Sequence, residues 1–174
     1  MKKQRETYVD IEIDKLTNSI ENVVSGDIFD TEIMQLFSGD IKEIKKSEWL
    51  FEWRKQLKLT DRETFKLVIK NNTKIIQGLI SLSDRKDHIY MHLIESSKFN
   101  KGKNKVYAGV PGNLVAFACQ TSFDKGYEGY VAFDAKTSLI KHYQETLYAS
   151  HFKGTTMFVE TPAALKLIDQ YFKK

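Results

Sequence analysis

The first pattern along the chain is alternation. Val9, Ile11 and Ile13 fall on one side, and Asp10, Glu12 and Asp14 on the other. A period of two predicts a half-buried strand over residues 8–14. The period then lengthens. Leu16, Ile20, Val23 and Val24 fit one helical face, with Thr17 as a cap and Gly26 as a stop. Asn18, Asn22 and the β-branched residues of that stretch pull against a helix. Residues 27–46 carry no periodicity that assigns them.

From residue 49 the pattern sharpens. Trp49–Leu57 holds two tryptophans and a phenylalanine and reads as a strand, although Trp49 and Trp53 are spaced as on a helix face. On the strand reading the two tryptophans share one side of the sheet, for core packing or an acceptor pocket. Thr64–Lys70 alternates through Phe65, Leu67 and Ile69. Asn71-Asn72 marks a tight turn, because Asn tolerates positive φ. Lys74–Leu82 is the next strand, Asp84–Asp87 a polar turn and His88–Glu95 a further strand. Together these predict an antiparallel meander.

The second half of the chain is helical by period. Leu114, Phe117, Ala118 and Thr121 make one stripe over residues 113–125, ended by Gly126. Tyr130–Phe133 is a short apolar run that predicts a strand covered on both faces. Thr137 is placed to cap a helix striped by Leu139, Ile140, Tyr143 and Leu147. Thr155–Glu160 reads as a strand. Thr161-Pro162 reads as a cap and first-turn proline for a last helix with Leu165, Ile168 and Phe172 on one face. The order predicts one α/β (α+β) domain over residues 1–174, with a central mixed, mostly antiparallel sheet flanked by helices. Strand 88–95, helix 113–125 and strand 130–133 form a crossover unit, which places the two strands parallel and adjacent.

Composition adds exclusions. In 174 residues, 41% are hydrophobic and 29% charged, so the chain can build a core and is not disordered by composition. No apolar run approaches the ~18 residues of a membrane span. Met1–Arg5 is basic like the start of a signal peptide, but Asp10, Glu12 and Asp14 break the apolar stretch that must follow. The expected location is the cytoplasm. Cys119 is the only cysteine, which excludes an internal disulfide and a cysteine-rich zinc site. The net charge of +4 is too mild to mark a nucleic-acid binder. Lys98, Lys101, Lys103 and Lys105 cluster beside Gly102 and Asn104, either as a solvated loop or as a site for a small polyanion.

Candidate chemistry lies between strand and helix, in Val106-Tyr107-Ala108-Gly109-Val110-Pro111-Gly112-Asn113. A glycine-bearing turn entering a helix offers unpaired N–H groups and a helix dipole to a phosphate. Gly109 and Gly112 allow close approach, and Pro111 stiffens the turn. The turn is neither a P-loop nor a three-glycine dinucleotide fingerprint.

This turn, followed by a strand and by the helix Asp134–Tyr143, resembles the GCN5-related N-acetyltransferase superfamily over roughly residues 50–174. The family's Gln/Arg-x-x-Gly-x-Gly/Ala turn ends on Gly112, with Tyr107 at the basic position and Val110 at the first glycine. Both depart from the pattern. In the family's Asn-x-x-Ala-x-x-x-Tyr helix, Lys136 and Leu139 replace the first two residues and Tyr143 keeps the last. The resemblance implies an acetyl-CoA-dependent transfer to a primary amine by direct attack, without a metal. Its pantetheine arm would pair with strand 88–95 near Ile94. Its pyrophosphate would sit on the N–H groups of Gly109, Val110, Gly112, Asn113 and Leu114, beside Tyr107, Pro111 and Lys136. Tyr143 would protonate the leaving thiolate, and Glu95 would act as base through water. The expected partner is a small-molecule or peptide amine. A membrane and nucleic acid are not expected, and a homodimer is compatible with it. A non-catalytic acyl-CoA-binding or interaction module on the same fold is the alternative that the degenerate turn favours.

Five further residues are weighed and set aside. His92 is an odd number of positions from Glu95, so alternation points it to the opposite face. His88, His142 and His151 show no ligand spacing. Cys119 reads as a buried small residue.

Overall fold

The protein is described from a computed structural model that covers residues 8–14 and 19–172, with the backbone alone for Tyr171 and Phe172. Among the described residues ten strands and four α-helices follow one another. They are β1 (Ile20–Asn22), β2 (Ile28–Phe29), β3 (Thr31–Leu36), α1 (Trp53–Lys58), β4 (Glu63–Ile69), β5 (Gly78–Asp84), β6 (Ile89–Ser96), β7 (Tyr107–Ala108), α2 (Val110–Asp124), β8 (Val131–Asp134), α3 (Ile140–Thr146), β9 (Ser150–Lys153), β10 (Thr156–Val159) and α4 (Thr161–Phe172). Seven strands share one sheet in the order β3-β4-β5-β6-β8-β10-β9, and β2-β1-β7 form a second, small one. In the large sheet only β6 and β8 run parallel.

The meander strands are buried on both faces, which explains their dense apolar sequence. One face, with Leu67, Ile80, Met91 and Ile94, packs with α2 and α4 in the larger core. The other, with Leu79 and Leu93, packs under Trp49, Phe51, Trp53 and Leu57. Gly78 sets how closely α2 approaches. A Cβ there would lie 2.7 Å from Val110 Cγ1 and 2.9 Å from Leu114 Cδ1. The expected parallel neighbours, β6 and β8, are present, joined through α2.

Several expectations are corrected. Residues 15–18, including Leu16 and Thr17, lie outside the described residues. The remainder of the expected helix is β1 and a turn, because Asn22 Oδ1 accepts the N–H groups of Val24 and Ser25 (2.9 and 3.0 Å) and Gly26 has φ 77°. Val24 is therefore on the surface, not on a core face. Trp49–Leu57 is not a strand. It is a loop leading into α1, and the four-residue spacing of Trp49, Trp53 and Leu57 is the helical signal that mattered. Asn71 takes the positive φ expected of its turn, and Lys86 in the next turn takes one as well. α2 begins three residues before Asn113, because Gly109 (φ 98°) serves as its N-cap and Pro111 fits its first turn. Thr137 makes no cap. It opens a 3-10 turn, Thr137–Leu139, that leads into α3. On α4 the buried residues are Ala163, Ala164 and Leu167, and Leu165 is 51% exposed; the Phe172 side chain lies outside the described residues. β9 is exposed at all four positions and so gave no apolar signal.

Candidate active site

The site starts where two strands part. β6 and β8 share three pairs, ending at Met91↔Phe133. At that point β6 carries a bulge: Leu82 pairs with Met91 and Ser81 with Leu93, so His92 is the extra residue. β6 continues to Ser96 without β8 beside it, leaving the Ile94 backbone edge on that side outside the ladder. β7 and Gly109 then lead into α2. Val110, Pro111, Gly112, Asn113 and Leu114 form its first turns, and all five are buried. Asn113 turns inward. Its Nδ2 donates to the carbonyls of Gly109 (2.7 Å) and Ser19 (3.1 Å). Tyr107 packs edge-on against Phe29 at 5.7 Å. The side chains of Asn113 and Tyr107 are thus engaged within the fold.

Residues 8–14 do not form the expected strand, since Val9 alone makes a bridge, but Val9 and Ile13 are buried and Asp10 and Glu12 exposed, as alternation predicts. Their partners are distant in sequence. Val9 bridges Ala135 in parallel, its N–H donating to Asp134 O (2.6 Å) and its carbonyl accepting from Lys136 N–H (3.0 Å). The Tyr143 hydroxyl accepts the Ile11 N–H at 3.0 Å and donates to the Ile11 carbonyl. His142 Nε2 accepts the Ile13 N–H at 2.8 Å. Asp14 Oδ1 accepts the Gly109 N–H at 3.1 Å, and its Oδ2 meets Lys105 Nζ at 3.0 Å. Lys136 Nζ lies 3.4 Å from Asp10. Tyr143 is fully buried against Phe133, and burial pushes its phenol pKa well up, so it stays protonated.

The face of the sheet opposite α2 carries a polar group that the alternation argument missed. The bulge returns His92 to the face of Tyr90, whose ring it meets edge-on at 4.7 Å. His92 Nε2 is hydrogen-bonded to Ser83 Oγ, which also donates to Asp61 O at 2.7 Å. The Tyr90 hydroxyl donates to Asp134, and Arg85 lies 4.7 Å over the Tyr90 ring. Burial first, then the charges of Arg62 and Arg85, lower the His92 pKa to about 4. Burial and the Asp134 carboxylate raise that of Tyr90. Parity could not find this group, because one inserted residue reverses it.

Glu95 shares that face but is differently occupied. Its carboxylate, 2% exposed, accepts from Leu50 N–H (2.7 Å), Phe51 N–H (3.2 Å), Trp53 Nε1 (2.8 Å) and Lys101. Four donors leave it no free lone pair for a water, so its geometry is that of a structural anchor for the loop before α1 and not of a base. Outside that loop a cavity of about 440 Å³ is lined by Ile41, Ile44, Trp49, Trp53, Lys55 and Lys58. Of the clustered lysines, Lys101 and Lys105 are thus paired with carboxylates. Cys119 is buried within α2, and burial raises its thiol pKa to about 12. Among the described residues no group of His, Cys, Asp or Glu is placed to hold a metal ion, and no helix is long and apolar enough to cross a membrane.

Against known proteins, no family model matches the sequence, and no curated protein matches it significantly. Solved structures do match. One is a tyrosine-to-phenylalanine mutant of the AtaT toxin bound to the C-terminus of the antitoxin AtaR and acetyl-CoA, with TM-score 0.57 and 15% identity over 80% of this chain and 99% of that one. A KacTA–DNA complex matches with TM-score 0.54 and 13% identity, over 79% and 97%. A chimera of the spermidine N-acetyltransferase SpeG from Vibrio cholerae and hSSAT matches with TM-score 0.50 and 14% identity, over 78% and 98%. At such identities the likeness is one of fold.

Proposed function

We propose that this chain, which has the fold of the GCN5-related N-acetyltransferases, transfers an acetyl group from acetyl-CoA to a primary amine. The observation that carries the reading is the parting of β6 and β8 after Met91↔Phe133, next to the glycine N-cap of α2. A thioester arm laid along the free edge of β6 would have backbone donors beside its carbonyl. Its pyrophosphate would face the first N–H groups of α2 and their dipole. Similar structures hold acetyl-CoA or act on spermidine, which supports the cofactor and an amine acceptor.

The step is a direct displacement. A neutral amine nitrogen bonds to the thioester carbonyl carbon. The C–S bond breaks, CoA leaves as the thiol, and the nitrogen loses a proton. Tyr143 is the proton donor for sulfur, because its raised pKa keeps the phenol protonated. On the acceptor side His92 replaces Glu95 as the group that receives the amine. It is neutral at physiological pH and offers a lone pair and no repelling charge. With a pKa of about 4 it is a weak base, so its part is to orient the amine, with bulk water taking the proton.

Two measurements test this. CoA at one hundred times its dissociation constant should stabilise the fold by about 2.7 kcal/mol, read as a rise in Tm. Thiol release should then follow on adding primary amines. Tyr143→Phe should lower turnover on the order of 10²-fold without weakening CoA binding. Near-wild-type turnover in that variant would return Tyr143 to packing alone. CoA binding without thiol release for any amine would favour the alternative of a binding module, which Tyr107 and Val110 at the turn already suggest.

A further inference from the structure

We propose that residues 8–14 are an intramolecular occupant of the acyl-CoA groove, held there until the cofactor displaces them. This rests on the acyl-CoA reading above. Val9 takes the place beside the end of β8 that β6 has left: the β6–β8 ladder stops at Met91↔Phe133, and the next partner of this strand, at Ala135, is Val9. From there the segment runs to the N-cap of α2, where the Asp14 carboxylate sits on the Gly109 N–H and against Lys105. The second end is the one assigned above to the pyrophosphate, and the first lies on the β8 side of the opening whose β6 side was assigned to the thioester arm. The segment is an extended backbone ending in an anion, and it fills a groove suited to an extended amide-bearing arm ending in an anion.

The contacts are stitched on both sides of the segment. The N–H groups of residues 9, 11 and 13 all donate inward, to Asp134, Tyr143 and His142. The carboxylates of residues 10 and 14 reach Lys136 and Lys105. The alternation Val-Asp-Ile-Glu-Ile-Asp thus does two jobs: its apolar members pack into the larger core and its first and last acids meet the lysines. The same contacts use up Tyr143, whose hydroxyl both donates to and accepts from Ile11. A single displacement would therefore open the cofactor site and release the proton donor. Cofactor binding to such a protein is weakened by the fraction of molecules in which the groove is open.

The test uses the full chain with CoA as the probe. Calorimetric titration compares wild type with Asp14→Ala, which removes the carboxylate from Gly109 and Lys105, and with Val9→Pro, which removes the N–H that bonds Asp134. Both variants should bind CoA on the order of tenfold more tightly than wild type, or bind it where wild type does not. Hydrogen exchange of wild type should show residues 9–13 protected without CoA and unprotected at saturating CoA. Bound CoA with that protection retained, or with the affinity of Asp14→Ala unchanged or weakened, overturns the proposal and leaves the cofactor reading standing. Failure of wild type and both variants to bind CoA at all overturns the cofactor reading, and this proposal with it.

Discussion

His92 shows how one residue's charge state depends on packing. In the unfolded chain it titrates near 6.5, and in the fold near 4, because burial and then Arg62 and Arg85 disfavour the imidazolium. Between those values the unfolded state binds a proton that the fold does not. The stability tied to His92 is therefore complete above pH 6.5, declines as pH falls toward 4, and declines no further below that. Asp61 and Asp84, whose pKa values lie below 3.8 because of hydrogen bonds from Arg62 and Tyr127, lose their contribution only at lower pH. Tm measured from pH 7 to pH 4 should fall in wild type and fall less steeply in His92→Gln. Equal slopes would assign the decline to other groups. None of this was legible in the sequence, where His92 was placed by parity on the wrong face; the reason is the bulge, which local pattern does not report.

At the scale of elements, two short contacts hold the site in place. The Glu95 carboxylate anchors the loop before α1 through Leu50, Phe51 and Trp53. Glu95→Ala strands these donors, those of Phe51 and Trp53 in buried positions, and should cost about 2–4 kcal/mol, read by urea unfolding, with increased exchange of the amides of Leu50 and Phe51. A cost under about 0.5 kcal/mol, the range of an ordinary surface change, would remove the anchor role. Gly78 lets α2 sit against β5, and Gly78→Val should destabilise the fold by about 1–3 kcal/mol through overpacking against Val110 and Leu114. Periodicity found α2 and the meander because helix and strand periods are local. It missed α1, whose tryptophans looked like strand residues. It missed β9 as well, since four exposed positions carry no apolar period.

For the whole molecule, the two sheets differ in how firmly they are held. β2-β1-β7 is built from strands of two or three residues, with Ile28 exposed, whereas β4 to β6 are seven or eight residues long and buried on both faces. Native-state hydrogen exchange should open Glu21 and Ile28 well before Leu67 and Ile80; equal protection would mean that the small sheet opens only with the large one. By itself the sequence determined the class of fold, the meander, the parallel return of β8 and the glycine turn into α2. Each of these follows from periods and turn residues that act over a few positions. Only the tertiary structure decided what residues 8–14 lie against. Their alternation says that one side is buried, but it is the same for a sheet edge as for a cofactor groove. The partners that distinguish these, Gly109, His142 and Tyr143, stand 95 to 132 positions away and meet the segment only once β6 and β8 have parted.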